Sequence, residues 1–153
     1  MKYFLVFLLI FFSACAKEST SLKTSTAKVI FKSQNIKFKG SSFINEDKKN
    51  YILDVYSSSK AIAKIKINNK YICFNDKCYL KHSFNLYFFK YNFYDELLED
   101  ILKCNSIFYK KNITYNEKDF VQKIKVDNTY LDFKKEKNTC EFSFKDIYIK
   151  MIY

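Results

Sequence analysis

The stretch that decides the fold is Tyr51–Ile67, which has the sequence YILDVYSSSKAIAKIKI. Apolar side chains occupy every second position on both sides of a polar break at Ser57–Lys60, and Lys64 and Lys66 fill alternate positions of the second half. A period of two is typical of antiparallel strands that bury one face and expose the other. The stretch therefore predicts two half-buried strands joined by a short turn.

Pairs of Asn and Asp residues predict further turns along the chain. Asn68-Asn69, Asn75-Asp76 and Asp127-Asn128 each separate two short apolar runs. Asn and Asp tolerate positive φ, so each pair is a hairpin signal. Near the C-terminus the apolar alternation changes phase at Lys145-Asp146, which predicts a bulge or bend there.

One segment has helical spacing instead. Apolar residues recur three or four positions apart within Phe93–Leu102, with Asn92 as a candidate N-cap, Asp95-Glu96 in the first turn and Lys103 in the last. These features predict an amphipathic helix of about three turns. The predicted fold class is mainly β (α+β): a curved antiparallel sheet or half-barrel covered by one or two short helices, of which this is the first and the second would lie near the N-terminus.

The N-terminus has the organisation of an export signal. Lys2 precedes the apolar run Tyr3–Phe12, and Ser13-Ala14-Cys15 follows it. Ten apolar residues at about 1.5 Å each reach only half of a ~30 Å hydrocarbon core. A signal peptide at residues 1–14 is therefore favoured over a transmembrane anchor, with ordinary secretion and an uncleaved anchor as the alternatives.

Cys15 is the predicted lipidation site. The run Phe12–Cys15 resembles the lipobox of bacterial lipoproteins, although Phe12 stands where an aliphatic residue is usual. The resemblance implies covalent diacylglycerol and an N-acyl chain on Cys15, and we expect no other cofactor. Ala16 follows the cysteine in place of the aspartate that retains enteric lipoproteins at the inner membrane, so we expect anchoring in the outer membrane.

Composition divides the rest of the chain into a tether and one domain. Residues 15–28 are rich in Ser, Thr and Lys and predict a flexible tether after the lipidated cysteine, while 29–153 predict a single antiparallel β-rich domain. The formal net charge of +11 favours anionic lipid, lipopolysaccharide or nucleic acid as partners. Because the lysines are scattered along alternating strands, a solvated face is the simpler interpretation, and we expect no nucleic acid partner for an exported protein.

Four cysteines remain once Cys15 is assigned to lipid: Cys73, Cys78, Cys104 and Cys140. Disulfides persist in exported proteins, and four cysteines allow three pairings. Cys73 and Cys78 flank a predicted turn, so this local pair together with Cys104–Cys140 is the simplest choice. A four-thiolate zinc site is the alternative, but the close CxxC spacing of such sites is missing.

The sequence offers no catalytic motif and no metal site. His82, the only histidine, lies in a strand-like run, and Gly40 is the only glycine, which excludes glycine-rich phosphate loops and nucleophile elbows. The acidic residues within Asp95–Asp100 fit a solvated helix face better than an acid and base pair. We therefore expect a binding protein and no enzyme.

The order of elements resembles that of LolB-like outer-membrane lipoproteins, the receptors that take lipoproteins from a periplasmic carrier. The paired strands of Tyr51–Ile67, the helical segment Phe93–Ile107 and the closing segment Phe142–Lys150 carry this resemblance. It implies a domain that faces the periplasm and lodges acyl chains between sheet and helix, with membrane lipid, a periplasmic carrier and client lipoproteins as partners. The cavity-wall residues expected on this basis are Leu53, Val55, Ile65, Phe93, Leu97, Ile101, Phe142 and Phe144.

Two departures from the family leave a second hypothesis open. The turn after the helix is replaced by Cys104–Ser106 with no tryptophan, and the loop Ser57–Lys60 lacks the exposed apolar residue that the family uses for membrane insertion. The alternative is a structural or envelope-assembly lipoprotein that binds a partner through its surface. An apolar cavity of roughly 300 Å³ or more would favour the receptor, and a dense core with an exposed apolar patch would favour the interaction protein.

Overall fold

The computed structural model describes residues 22–153, which contain an eleven-stranded antiparallel sheet and two short helices. The first six strands are β1 Lys23–Lys32, β2 Lys37–Glu46, β3 Asn50–Ser57, β4 Lys60–Asn68, β5 Tyr71–Phe74 and β6 Lys77–Leu80. The helices are α1 Lys81–Phe89 and α2 Leu97–Leu102, followed by a 3-10 turn at Phe108–Lys110. The last five strands are β7 Ile113–Asn116, β8 Asp119–Val126, β9 Thr129–Glu136, β10 Thr139–Phe144 and β11 Ile147–Ile152.

The strand order explains where the helices lie. It is β6-β5-β4-β3-β2-β1-β11-β10-β9-β8-β7, so the first and last strands meet in the middle of the sheet. Its two edges, β6 and β7, are joined through the helical segment 81–112, and the sheet is not closed. The prediction of a mainly β, antiparallel architecture is confirmed.

One face of the sheet, which we call the inner face, is buried and forms the core. Leu53 of β3 lies opposite Ile44 of β2 and Ile65 of β4, and all three are buried. Phe133 and Phe142 are paired in the same way between β9 and β10. Because directly opposed residues point to the same side, the alternation predicted from sequence lines up into apolar rows across the strands.

The helices differ from those expected. The helix predicted from Phe93 begins only at Leu97, because the side chain of Asn85 donates to the backbone oxygens of Phe93 and Tyr94 and so engages carbonyls that a longer helix would use. The second covering helix is α1, which includes His82 of the supposed strand, whereas the described chain begins with β1 and β2. Neither helix within residues 22–153 is long and apolar enough to cross a membrane.

The domain begins before the expected boundary at residue 29. Strand β1 starts at Lys23, and its first residues pair with the second half of β2. The hydroxyl of Ser42 also donates to the Ala27 carbonyl at 2.8 Å. The first half of β1 is mostly polar and exposed, so no apolar alternation marks it as a strand. Backbone pairing with β2 holds it in place. The predicted tether therefore ends at residue 22 at the latest, and the part at 15–21 lies outside the described residues.

The phase change at Lys145-Asp146 is a tight turn and not a bend within one strand. Strands β10 and β11 run antiparallel, with Phe144 directly opposite Ile147. A two-residue turn and a bulge shift the alternation equally, so sequence periodicity does not separate them. The predicted turns at Asn68-Asn69, Asn75-Asp76 and Asp127-Asn128 do separate consecutive strands.

Candidate functional site

The residues predicted to line a lipid cavity are brought together between the sheet and the helices. Strands contribute Leu53, Val55, Ile65, Phe142 and Phe144; the helical segment contributes Phe93, Leu97 and Ile101. The most exposed of the eight, Phe93, retains 6% of its accessible surface. In this state of the protein they are core residues, and their contact with lipid stays a prediction.

Aromatic rings fill the space between α1 and the inner face. Phe88 packs on Phe31 of β1 with ring centroids 5.1 Å apart, and Phe89 packs edge-on against Phe142 at 5.8 Å. Phe93 meets Phe144 at 5.3 Å. Two depressions on the opposite, outer face of the sheet are not lined by these rings. A ligand would reach the inner face only by displacing part of this aromatic layer.

Helix α1 touches the sheet mainly through apolar side chains. Its polar side-chain contacts within the described residues go to the segment that follows it: Lys81 pairs with Glu99 of α2 at 3.0 Å, and Asn85 Nδ2 donates to the Tyr94 carbonyl at 2.7 Å. The Oδ1 atom of Asn85 is buried and has no partner there. Helix α1 continues directly from the edge strand β6, since Lys81 follows Leu80, and neither disulfide within residues 22–153 includes a residue of α1.

The C-terminal end of α2 is fixed to the sheet by several kinds of contact. Tyr51 donates its hydroxyl to the Leu102 carbonyl at 3.3 Å, and Tyr153 donates to the same oxygen. The disulfide Cys104–Cys140 links the second residue after the helix to β10. The covering segment is therefore fixed to the sheet at α2 by a disulfide and hydrogen bonds, whereas α1 is held by packing and by its continuation from β6.

A short chain of charges connects the two helices with β2. Glu99 accepts from Lys81 and also pairs with Lys103 at 2.9 Å, and Lys103 reaches Glu46 of β2 at 2.8 Å. Burial raises the pKa of Glu99, but the hydrogen bonds from Lys103 and Lys81 outweigh it and hold the pKa below its ordinary value. Glu99 is thus a structural ion-pair partner and not part of a solvated acidic face, whereas Asp95 and Glu96 are exposed as expected.

The remaining predicted site residues are the cysteines, His82 and the side chains that could bind a metal. The two disulfides are the expected pairs, Cys73–Cys78 and Cys104–Cys140. His82 is exposed on α1. Within residues 22–153 no three His, Cys, Asp or Glu side chains cluster as a metal site. The lipidation site Cys15 and the signal peptide 1–14 lie outside the described residues, so they stay predictions.

Sequence reasoning missed two buried amides that position the covering segment. One is Asn85; the other is Gln122 of β8, whose side chain accepts from the Ile107 amide at 2.8 Å and donates to the Ile107 and Lys111 carbonyls at 2.9 Å. Gln122 occupies an inner-face position between Phe120 and Ile124. A polar residue at an apolar alternation position was the available signal, because a buried amide requires hydrogen-bond partners.

Comparison with known proteins finds no family model that matches this chain and no curated protein with significant similarity to it.

Proposed function

We propose that this chain is a membrane-anchored lipoprotein that binds acyl chains beneath its helical cover, as a LolB-like receptor does. The observation that supports this is the unequal attachment of the cover. The C-terminal end of α2 is fixed to the sheet by a disulfide and hydrogen bonds, whereas α1 is joined to it only at its N-terminal end, through β6, and otherwise packs on it through Phe side chains. Outward movement of α1 would uncover an inner face that is apolar from β1 to β10. The function is binding, with no bond made or broken.

Apolar burial would drive this exchange. Moving α1 outward exposes Phe84, Phe88 and Phe89, which are almost completely buried. An acyl chain that takes their place gains about 0.8 kcal/mol for each buried methylene. A chain of ten or more methylenes can therefore offset the exposure of two or three rings, each worth roughly 1.5–3 kcal/mol. Because Lys81 moves with α1, its ion pair with Glu99 would break at the same time.

The test is native mass spectrometry of the chain from residue 15, with Cys15→Ser to prevent lipidation, incubated with a fatty acid. We expect saturable one-to-one retention. Phe88→Ala removes one ring from the layer, so an acyl chain that fills the space should bind about tenfold more tightly, the gain from two further buried methylenes. If neither the Cys15→Ser chain nor its Phe88→Ala variant retains the fatty acid, the proposal is refuted.

Phe120→Ala is the matched control for this substitution. Phe120 is equally an inner-face phenylalanine, but its ring contacts Phe133 at 5.4 Å and Tyr115 at 6.4 Å, away from both helices. Both variants create a cavity, so a comparable loss of stability is expected. If Phe120→Ala strengthens lipid retention as much as Phe88→Ala does, the lipid fills any cavity and α1 does not cover a specific site.

A second candidate function is favoured by the filled interior. A dense aromatic core with exposed apolar residues on the opposite face is what an interaction lipoprotein requires. Such a protein would retain no fatty acid, and it would keep its partner binding when α1 is held in place. The outer face would then carry the function.

A further inference from the structure

Four lysines lie close together on the exposed side of β1 and β2. This side is part of the outer face of the sheet. We call Lys28, Lys32, Lys37 and Lys39 the basic patch. Lys32 lies directly opposite Lys37 in the strand pairing, and Lys39 lies opposite Ile30, between Lys28 and Lys32 along β1. Like charges placed directly opposite each other in a sheet are unfavourable. An anionic partner would offset this cost.

The patch has no internal counter-charge. None of the ion pairs within residues 22–153 involves these four lysines. On the same face, by contrast, Lys150 pairs with Glu141 at 2.6 Å and Lys64 pairs with Asp54 at 3.2 Å. Among the described residues, β1 and β2 therefore bring four unpaired lysines together on the outer face, while unpaired lysines such as Lys66 and Lys125 lie on separate strands.

The basic patch borders a groove with an apolar floor. A depression of about 580 Å³ is lined by Lys28, Lys39 and Lys150 together with Ile30, Tyr56 and Ile152. A second depression of about 430 Å³ continues past Lys28 to Phe43. Phe43 is 52% exposed, and its ring is braced edge-on against Tyr56 at 5.7 Å. Lysines beside an exposed aromatic ring suit the boundary between phosphate headgroups and acyl chains.

The position of β1 places this groove near the predicted anchor. Only seven residues, 16–22, lie between Cys15 and Lys23, so a fully extended chain allows at most about 29 Å between them. The basic patch begins five residues further along the same strand, at Lys28. Anchoring at Cys15 would therefore keep the strand that carries the patch within reach of the membrane.

We propose that the basic patch, with Phe43 at its end, docks the domain on an anionic phospholipid surface. The lysines bind lipid phosphates and Phe43 enters the headgroup boundary. The proximity argument rests on the anchoring at Cys15 in the proposed function, but docking does not depend on acyl-chain binding under α1. Docking would orient the domain with its outer face on the membrane and the helical cover away from it.

The experiment is vesicle co-sedimentation of the chain from residue 15 with Cys15→Ser, whose described residues contain all eleven strands and the core. We expect binding to phosphatidylglycerol-containing vesicles and not to pure phosphatidylcholine vesicles. Binding should weaken between about 0.1 M and 1 M salt, as the Debye length falls from about 10 Å to 3 Å. Lys28→Gln with Lys39→Gln should lower the partition coefficient about 30-fold, roughly fivefold for each lysine.

Lys66→Gln with Lys125→Gln is the matched control, because these exposed lysines lie on the outer face in β4 and β8 and have no ion pair within the described residues. An equal loss in this control would show that net charge alone drives binding and would overturn the proposal. Equal binding to both kinds of vesicle, or binding of inorganic phosphate without vesicles, would also overturn it. Fatty acid retention is measured separately, so the two proposals fail independently.

Discussion

At the residue scale, the chain makes its tight turns almost without glycine. Residues with positive φ include Ser58, Ser59, Asn75, Asp127 and Lys137, while the single glycine has an ordinary backbone. Asn and Asp adopt a positive φ at little cost in free energy, whereas lysine is strained in this backbone conformation. The turns therefore differ in strain, and the lysine turns are sites for stabilisation.

Lys137→Gly tests this strain. Lys137 has φ 50° in the turn between β9 and β10, and its side chain is exposed. Glycine removes a steric cost of about 1–2 kcal/mol but gains backbone freedom in the unfolded chain, so we expect a net stabilisation of about 0.5–1 kcal/mol. Thermal unfolding measures it. Lys137→Ala, which keeps the Cβ, should not stabilise; if it raises the Tm equally, the backbone conformation is not the cause.

Gly40 is needed for the opposite reason, because there is no room for a side chain. A Cβ at this position would collide with the carbonyl oxygen of Tyr56 and lie 2.9 Å from Cγ1 of Val55. The pairing of β3 with β4 shifts register between the same two residues, so the end of β3 bends closely over β2. The backbone cannot yield as a flexible side chain would.

Gly40→Ala should therefore destabilise the protein by about 2 kcal/mol or more, within the range of overpacked cores. Chemical denaturation measures the free energy of unfolding. Ser42→Ala on the same face of β2 is a suitable comparison, since it removes a hydrogen bond to Ala27 without adding volume and should cost only about 1 kcal/mol. A Gly40→Ala protein as stable as the wild type would contradict the close approach.

At the element scale, the two disulfides should contribute unequally. Cys104–Cys140 closes a loop with a sequence separation of 36 residues and ties α2 to β10, whereas Cys73–Cys78 closes five residues within one hairpin. In the loop-entropy model the longer loop contributes about 4 kcal/mol and the shorter about 2 kcal/mol. Denaturation of the double alanine variants compares them. A greater loss from the Cys73 and Cys78 pair would show that the covering segment is not fixed by its disulfide.

The ion pairs of Glu99 predict a loss of stability in acid. A carboxyl with a lowered folded-state pKa stabilises the fold above its unfolded pKa, near 4.5, and loses that contribution as the pH falls through the folded value. The unfolding free energy should therefore decrease below about pH 4.5, and less steeply in Glu99→Gln. Asp95→Asn is the matched control, because it removes an exposed carboxyl that makes no ion pair among the described residues. Parallel pH profiles for wild type and Glu99→Gln would rule out this contribution.

At the scale of the whole molecule, stability should decrease from the middle of the sheet to its edges. The N-terminal and C-terminal strands meet at the centre, where β1 and β11 each have two neighbours, while β6 and β7 are edges of four residues each. Strand β6 is stapled to β5 by Cys73–Cys78. Strand β7 has no such link.

Amide hydrogen exchange measures this gradient. We expect the slowest exchange in β1 and β11 and the fastest strand exchange in β7, because edge amides open without breaking the core. If α1 is the movable part of the cover, its amides should exchange faster than those of the inner strands and slow down when fatty acid is bound. Uniform protection of α1 and β1 would contradict a displaceable cover.

The strands that alternate apolar and polar residues, and the turns between them, were predictable from the sequence because their causes are local. Alternation in Tyr51–Ile67 reports which side of each strand is buried, and Asn75-Asp76 or Asp127-Asn128 supplies the backbone conformation that a turn requires. The pairing of Cys73 with Cys78 followed from the same hairpin. The apolar candidate-site residues were also identifiable, since periodicity marks the buried face.

Only the tertiary structure decided the features that depend on distant partners. Residues 23–28 form a strand because β2 pairs with them, and helix α2 is short because Asn85 engages the carbonyls of Phe93 and Tyr94. The basic patch arises where two strands bring Lys32 and Lys37 opposite each other. Periodicity records which side of a strand or helix is apolar, but hydrogen bonds and charges between separate elements depend on how the elements are arranged, which no local pattern encodes.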